Sequence, residues 1–419
     1  MDRGLQTGRA RNSVAAVARD QSGRLLSVLI RDLGDFQLAE DCLQEALESA
    51  LVHWDRNGEP ASPAAWLLQT ARRKAIDRIR RSQNFQRKAQ EYGHLIALDQ
   101  ATHHEPDDTS IPDERLRLIL TCCHPALDQK TSVALTLRTL CGLTTIEIAR
   151  AFLDSDEAMQ QRLVRARHKI SKAKIPFEIP GSEAWPTRLS AVLSVIYLVY
   201  NEGYAATHGD QQLRTDLCQE AIRLGRIMVH LCPHEPEAEG LLALMLLNHG
   251  RAQARTDLDG AFIPLDQQDR ALWDRNLIAE GTDRLGHALN HRRAGPYQMQ
   301  AAISALHADA PDPAQTDWHQ IQLIYDGLHA LSANPVFLLN RAVAMSYAEG
   351  PAPALAALEP LSVLLETYQP FHAALADLLR RLERRTEAEI AYRRAIALSQ
   401  NQGEITFLRK RLSDLSGVE

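Results

Sequence analysis

Across 419 residues there is no convincing run of alternating apolar and polar positions, whereas apolar side chains return every three or four residues almost throughout. A period of two is the mark of a half-buried strand, and a period near 3.6 is the mark of a helix resting on a core. That asymmetry disfavours sheet architectures and predicts an all-α chain. Alanine, leucine and arginine are abundant and aromatics make up only 5%, a composition that favours helix. The length exceeds one ordinary core, so roughly two or three domains are expected.

Charge divides the chain unevenly. Residues 1–174 carry a balance of +3 and residues 175–419 one of −9, which together give the net −6. The positive charge is bunched: Ala64 to Gln90 holds eight basic residues and one acidic, and Asp156 to Lys174 holds six and two. Two basic helices separated by an acidic linker, and followed by an acidic body, fit a nucleic-acid-binding protein better than a small-molecule enzyme.

Composition shifts mark the units. Residues 12–85 form a first helical unit, and residues 86–112, with the proline-bearing run DQATHHEPDDTSIPDE (99–114), form a linker. Residues 113–175 form a compact second unit that ends in a helix-turn-helix pattern. After IPFEIPGSEAWP (175–186), residues 185–419 read as a helical array. Near its end NRAVAMSYAEGPAPALAAL superposes on ALADLLRRLERRTEAEIAY, pairing Ala342 with Ala376 and Ala354 with Ala388 at an offset of 34. Small residues repeated at about that period are a tetratricopeptide-like signature.

Three stretches concentrate the chemistry. In AEDCLQEALESALVHW (39–54), Leu43, Ala46, Leu47, Ala50, Leu51 and Trp54 make a core-facing stripe, while Asp41, Gln44, Glu45 and Glu48 make an acidic face with no basic residue among them. Like charges at that spacing weaken a helix, so the face reads either as solvated surface or as a contact for a cationic partner. In SPAAWLLQTARRKAIDRIRRSQ (62–83), Trp66 lies beside a basic stripe that includes Arg72, Arg73, Arg78, Arg80 and Arg81. An aromatic ring next to such a stripe suits stacking on separated bases while the cations hold phosphates; the plainer role for Trp66 is core packing. In the third stretch, Thr144 and Glu147 make a capping box and a second helix spans 155–172. Met159, Leu163, Ala166 and Ile170 bury one side of that helix. Its other side shows Gln160, Gln161, Arg162, Arg165, Arg167 and Lys169, long donors suited to major-groove base edges.

AEDCLQEAL, AAWLLQTARRKAIDRIRR and LTTIEIARAF followed by QQRLVRARHKI, taken together, resemble regions two and four of bacterial RNA polymerase sigma factors of the extracytoplasmic-function, sigma-70-like family. YNEGYAAT (200–207), WDRNLIAEG (273–281), GPYQMQAAI (295–303) and the tetrad 259–262 resemble the subgroup with a tetratricopeptide-like C-terminal extension. Ala261 stands where that subgroup usually has glycine. The resemblance implies that Asp41, Gln44 and Glu45, extended by Glu48, dock on the clamp of the largest core polymerase subunit. It further implies that residues 12–85 bind the minus-ten element and 113–175 the minus-thirty-five element of promoter DNA. The acidic face would then be unneutralised within the chain because the polymerase neutralises it. Asp259, Gly260 and Phe262 become the contact candidate of the extension, which would support or regulate activity and meet a regulatory protein partner.

The sequence offers no phosphate-binding glycine loop, no dinucleotide fingerprint and no HExxH motif, so no cofactor, metal or catalytic site is expected and the chain reads as a non-enzyme. The six scattered cysteines read as reduced and mostly buried. The start MDRGLQTGRARNS lacks an export pattern, and no apolar run reaches spanning length, so a cytoplasmic protein that does not enter a membrane is expected. The rival is a stand-alone helix-turn-helix regulator with a ligand- or peptide-sensing helical domain. Such a regulator needs neither an acidic docking helix nor a second basic helix.

Overall fold

The structure is a computed structural model that describes residues 2–81, 111–204 except 142, 153 and 174, 215–256, and 263–416 except 400. The described residues form eighteen α-helices and short 3-10 turns, with no strand among them. They divide into two compact units, Met1–Val195 and Ile196–Glu419.

In the first unit, α1 (Asp2–Leu33) stops where Gly34 takes φ 63°, and Asp35 caps α2 (Phe36–Asn57) by accepting from the Leu38 amide at 3.0 Å. Gly58 at φ 81° ends α2, and Pro63 opens α3 (Pro63–Arg81). Glycine takes such a φ without steric cost, and proline suits a first helical turn, so both corners follow from the sequence. Leu29, Leu33, Ala39, Cys42, Ala46, Ala50, Leu67, Ala71 and Ala75 have almost no exposed surface and form the core between these three helices. The stripe on α2 differs from the expected one. Leu51 is 41% exposed, and the buried edge begins instead at Ala39 and includes Glu40.

Next come α4 (Ile111–Cys122), α5 (Gln129–Thr139), α6 (Thr145–Ala151) and α7 (Asp156–Lys172). The sequence reading separated these from the first three helices by a linker, most of which lies outside the described residues. The structure packs α1 against α4 and α5, and α2 against α7, so both sets share one unit. The helix that begins at residue 185, α8 (Trp185–Tyr204), belongs to the first unit as far as Val195. The buried Arg188 explains this, because its guanidinium donates to the Leu120 carbonyl of α4 at 2.7 Å.

The second unit is a helical array. Its centre is α10 (Pro236–His249), which is buried around nearly its whole circumference and packs on α9 (Thr215–Leu231), α11 (Arg275–Asn290) and α12 (Pro296–Asp309). The backbones of α10 and α12 approach so closely that a Cβ on Gly240 would lie 2.8 Å from the Gln298 amide nitrogen. Pairs of successive helices then continue through α13 (Trp318–Leu331), α14 (Pro335–Ala348), α15 (Pro351–Leu358), α16 (Gln369–Arg381), α17 (Arg385–Leu398) and α18 (Gln402–Ser416). Ala342, Ala354, Ala376 and Ala388, the four positions related by the 34-residue offset, all have no exposed surface and sit in one core cluster.

Gly240→Ala should therefore destabilise the second unit. Forcing a methyl group against a helix backbone costs roughly 1–3 kcal/mol, readable as a lower urea midpoint. Gly286→Ala, where a Cβ meets nothing within 4 Å, should instead leave the midpoint unchanged or raise it.

Candidate nucleic-acid and protein interface

The acidic face of α2 is neutralised inside the chain, contrary to the sequence expectation. Asp41 accepts from Arg78 at 2.8 Å and from Gln37 at 2.7 Å, while Glu45 accepts from Arg78 at 2.6 Å and lies 3.6 Å from Lys74. Arg78 and Lys74 belong to α3, which runs beside α2 with its charged stripe against the acidic one. Gln44 donates to Glu40 at 3.3 Å, and Glu48 is exposed. Asp41, Glu45 and Arg78 keep about two-fifths of their side-chain surface in water. Ion pairs so exposed contribute only ~0.2–1 kcal/mol, and an incoming cationic surface can exchange for Arg78 at little cost.

On α3 the expected cations separate by environment. Arg72 points inward: its guanidinium gives two bonds to one carboxylate oxygen of Asp32, at 2.7 and 3.0 Å, and Asp32 is 6% exposed. Arg31 holds the other oxygen at 3.0 Å. Arg72 thus anchors α3 on α1 and is not presented to an outside phosphate. Arg73, Arg80 and Arg81 are exposed, and Arg78 divides its guanidinium between Asp41 and Glu45. Trp66 is half-buried; it stacks on His53 with ring centroids 5.3 Å apart and meets the buried Trp54 edge-on at 5.7 Å.

The helix-turn-helix has the local chemistry that its sequence predicts. The Thr144 amide donates to Glu147 at 2.6 Å and the Glu147 amide to Thr144 Oγ1 at 3.2 Å, closing the box at the head of α6. Ser155 caps α7 by accepting from the Ala158 amide at 3.1 Å. Met159, Leu163, Ala166 and Ile170 are buried, and Gln160, Gln161, Arg165 and Lys169 are exposed, with Val164 and His168 beside them. Two expected readers lie elsewhere. Arg162 is half-buried and bonds Asp154 at 2.9 Å, and Arg167 turns back to Glu40 of α2 at 2.5 Å. Arg162, Arg165 and Lys169 wall a recess of about 280 Å³ with Asp128 and Thr131 at the head of α5. Its cations suit a phosphate on the flank of α7 better than a base edge.

Asp32 and Glu40, two of the carboxylates that sort these arginines, carry no local signal, because their pairings join residues 40 and 127 positions apart.

Asp259, Gly260 and Phe262 lie outside the described residues. The backbone flanking them is tied across by the Ile263 amide donating to the Arg255 carbonyl at 2.8 Å. The Arg255 guanidinium lies 3.6 Å from the centre of the Tyr204 ring. Further along, a cavity of about 300 Å³ is lined by Trp318 stacked on Tyr347 (4.2 Å), by Tyr325 and His307, and by Asp266 at its rim. Burial, and then Arg251 and Arg270, hold His307 down at about 4, so it is neutral at physiological pH. The six cysteines are free and buried, and burial pushes the Cys123 thiol up to about 12. Among the described residues no cluster of His, Cys, Asp and Glu is arranged to hold a metal, and no helix is long and apolar enough to cross a membrane.

Residues 18–85 match the sigma-70 region 2 model, and residues 188–289 match a family of unknown function (DUF6596). The chain is 45% identical to Uncharacterized protein R00370 of Rhizobium meliloti (strain 1021), over 93% of both chains. It is 28% identical to the ECF RNA polymerase sigma factor SigK of Mycobacterium ulcerans (strain Agy99), over 33% of this chain and 74% of that one. It is 26% identical to the probable ECF RNA polymerase sigma factor SigI of Mycobacterium tuberculosis (strain ATCC 25618 / H37Rv), over 41% and 58%. No solved structure matches.

The sorting of the α3 arginines is open to measurement. Arg72→Ala strips a buried carboxylate of its main cation and should cost roughly 3 kcal/mol in urea denaturation. Arg80→Ala and Arg81→Ala should stay within about 0.5 kcal/mol of the parent. Equal, small effects at all three would place Arg72 on the surface.

Proposed function

Because the chain belongs to one family with the Rhizobium meliloti protein and its N-terminal unit is sigma-70-like, we propose that it is a sigma factor that binds core RNA polymerase and directs promoter-specific initiation. The observation that carries the reading is the combination within one unit of a capped helix-turn-helix, whose second helix exposes Gln160, Gln161, Arg165 and Lys169, with a region 2 match that contains Asp41, Gln44 and Glu45. A stand-alone regulator requires the first but has no use for the second.

In this reading α2 docks on the polymerase clamp, with Asp41, Gln44, Glu45 and Glu48 facing it. The clamp's cations take the place of Arg78 and Lys74, which become available to the promoter's phosphates together with Arg73, Arg80 and Arg81. Trp66 lies next to the separated strands of the minus-ten element. On α7 the exposed Gln160, Gln161 and Arg165 face base edges of the minus-thirty-five element, while Arg162 and Lys169 hold the adjoining phosphates. The polymerase performs the chemistry; this chain supplies binding and position. The tetratricopeptide-like extension supports the initiation complex, with Asp259, Gly260 and Phe262 as its contact and a regulatory protein as a further partner. The fully buried alanines at the 34-residue offset support the tetratricopeptide-like description.

Asp41→Arg and Glu45→Arg should abolish capture of core polymerase while leaving the circular dichroism of the chain unchanged. Capture at the parental level would remove α2 from the interface. Co-purification of the unaltered chain with core polymerase separates the sigma reading from the stand-alone regulator.

The role of the extension is tested with residues 1–195, a fragment that retains the bond from Arg188 of α8 to the Leu120 carbonyl of α4. If the extension supports the complex, this fragment gives few promoter-specific transcripts in vitro. Robust transcription from it would make the extension an inhibitor instead.

A further inference from the structure

We propose that the aromatic cavity of the second unit binds a small aromatic carboxylic acid, its ring against Trp318 and Tyr325 and its carboxylate at Arg270, His307 and Thr316. The proposal does not rest on the sigma reading above.

Helix period builds the cavity. Trp318, Ile321 and Tyr325 lie three and four residues apart on one face of α13, and Asn340, Ala344 and Tyr347 lie four and three apart on one face of α14. The wall is fixed from behind, because Ile321 and Ala344 belong to a core cluster with Ile303 and Leu328. The enclosed volume of about 300 Å³ is at the small end of ligand pockets. It suits a ring with a short side arm.

One end of this cavity is polar and unsatisfied. Thr316 is 6% exposed, yet its hydroxyl has no hydrogen-bond partner among the described residues, and neither has the buried Nε of Arg270. Both residues line the cavity. Leaving a buried polar group unpaired costs free energy, and a ligand that bonds to these two recovers it.

The same end carries unpaired positive charge. Arg270 donates to the His307 and Ala310 carbonyls at 2.8 and 2.5 Å and lies 4.5 Å from the centre of the Trp273 ring. Arg251, 7% exposed, lies 6.0 Å from the same ring. Neither arginine forms an ion pair with a carboxylate among the described residues, although buried charges are ordinarily paired. Both bear on the neutral His307, which keeps an N–H to donate. An anion is what this arrangement lacks.

A carboxylate supplies that charge in a planar form that matches a guanidinium, and it accepts from the Thr316 hydroxyl as well. The far end sets the orientation. Burial, and then the exposed carboxylate of Asp266, push the Tyr347 phenol up, so an acid group at the Tyr347 end would meet a like charge. The ligand's ring therefore takes the aromatic side, where edge-on and offset contacts favour it over an aliphatic body.

The test is calorimetric titration of the full-length chain with benzoate, phenylacetate and indole acetate, each beside its own amide, with acetate as the ringless control. At least one acid should bind with a dissociation constant below about 1 mM, attainable for a ligand of roughly ten atoms. It should bind at least about tenfold more tightly than its amide or acetate. Thr316→Val should weaken that acid at least about fivefold and yet raise the urea midpoint, because it removes a hydroxyl that has no partner. Arg270→Met should remove the preference for acid over amide; if it unfolds the unit by circular dichroism, Thr316→Val decides alone. Binding of none of the three acids overturns the site, and equal binding of acid and amide overturns the anion. Acid binding that Thr316→Val leaves unchanged lies elsewhere and overturns the assignment, as does a lowered midpoint in that variant.

Discussion

Helix α2 is placed between two cationic helices, and the first unit is organised around how its acidic groups are divided between them. Asp41 and Glu45 turn outward and are met by Arg78 and Lys74 of α3; Glu40, on the buried edge, is met by Arg167 and Arg138 of the second set of helices. The two pairings differ in kind. The outer one is two-fifths hydrated, so its loss costs little and its partners are exchangeable. The inner one is dry, and removing one member strands a charge. A helix of this type is held firmly on one side and offered on the other, which is the property a docking helix needs.

Arginine placement shows how the same residue type serves three ends. Arg72, Arg167 and Arg188 each lie with the guanidinium largely out of water on a fixed acceptor, namely Asp32, Glu40 and the Leu120 carbonyl. They tie helices together. Arg162 occupies the wall of a polar recess, and Arg80, Arg81 and Arg165 remain exposed. Guanidinium groups suit buried pairing because they are weakly hydrated and present several donors in a plane. A basic stripe in a sequence therefore overstates the number of cations available to a nucleic acid. In this chain the surplus is spent on assembling the unit that presents the rest.

What the sequence made legible was whatever is decided within one helical turn. The Thr144–Glu147 box, the Ser155 cap and the buried stripe Met159, Leu163, Ala166 and Ile170 all appear in the structure where spacing put them. These features follow from backbone geometry and period alone. The neutralisation of Asp41 by Arg78, across 37 positions, and the capture of Arg167 by Glu40, across 127, follow from tertiary packing that no local pattern encodes. The shift of the core edge on α2 has the same origin. Glu40 looks like an unremarkable surface position until Arg167 of α7 is laid against it. A proline-bearing stretch likewise marks where α8 starts, and only the packing of Arg188 shows which core the head of that helix serves.

Small residues carry the second unit in a way that large ones cannot. Gly240 sets the approach of α10 and α12, Gly281 faces the backbone of Leu247, and the alanines at the 34-residue offset sit without exposed surface where successive helices meet. Close approach of helix backbones multiplies the dispersion contacts made per residue, so an array poor in aromatics can still be well packed. The few aromatics that remain are thereby left free to gather, and Trp318, Tyr325 and Tyr347 do so around one cavity. A scaffold whose crossings are built from glycine and alanine tolerates almost no enlargement at those positions.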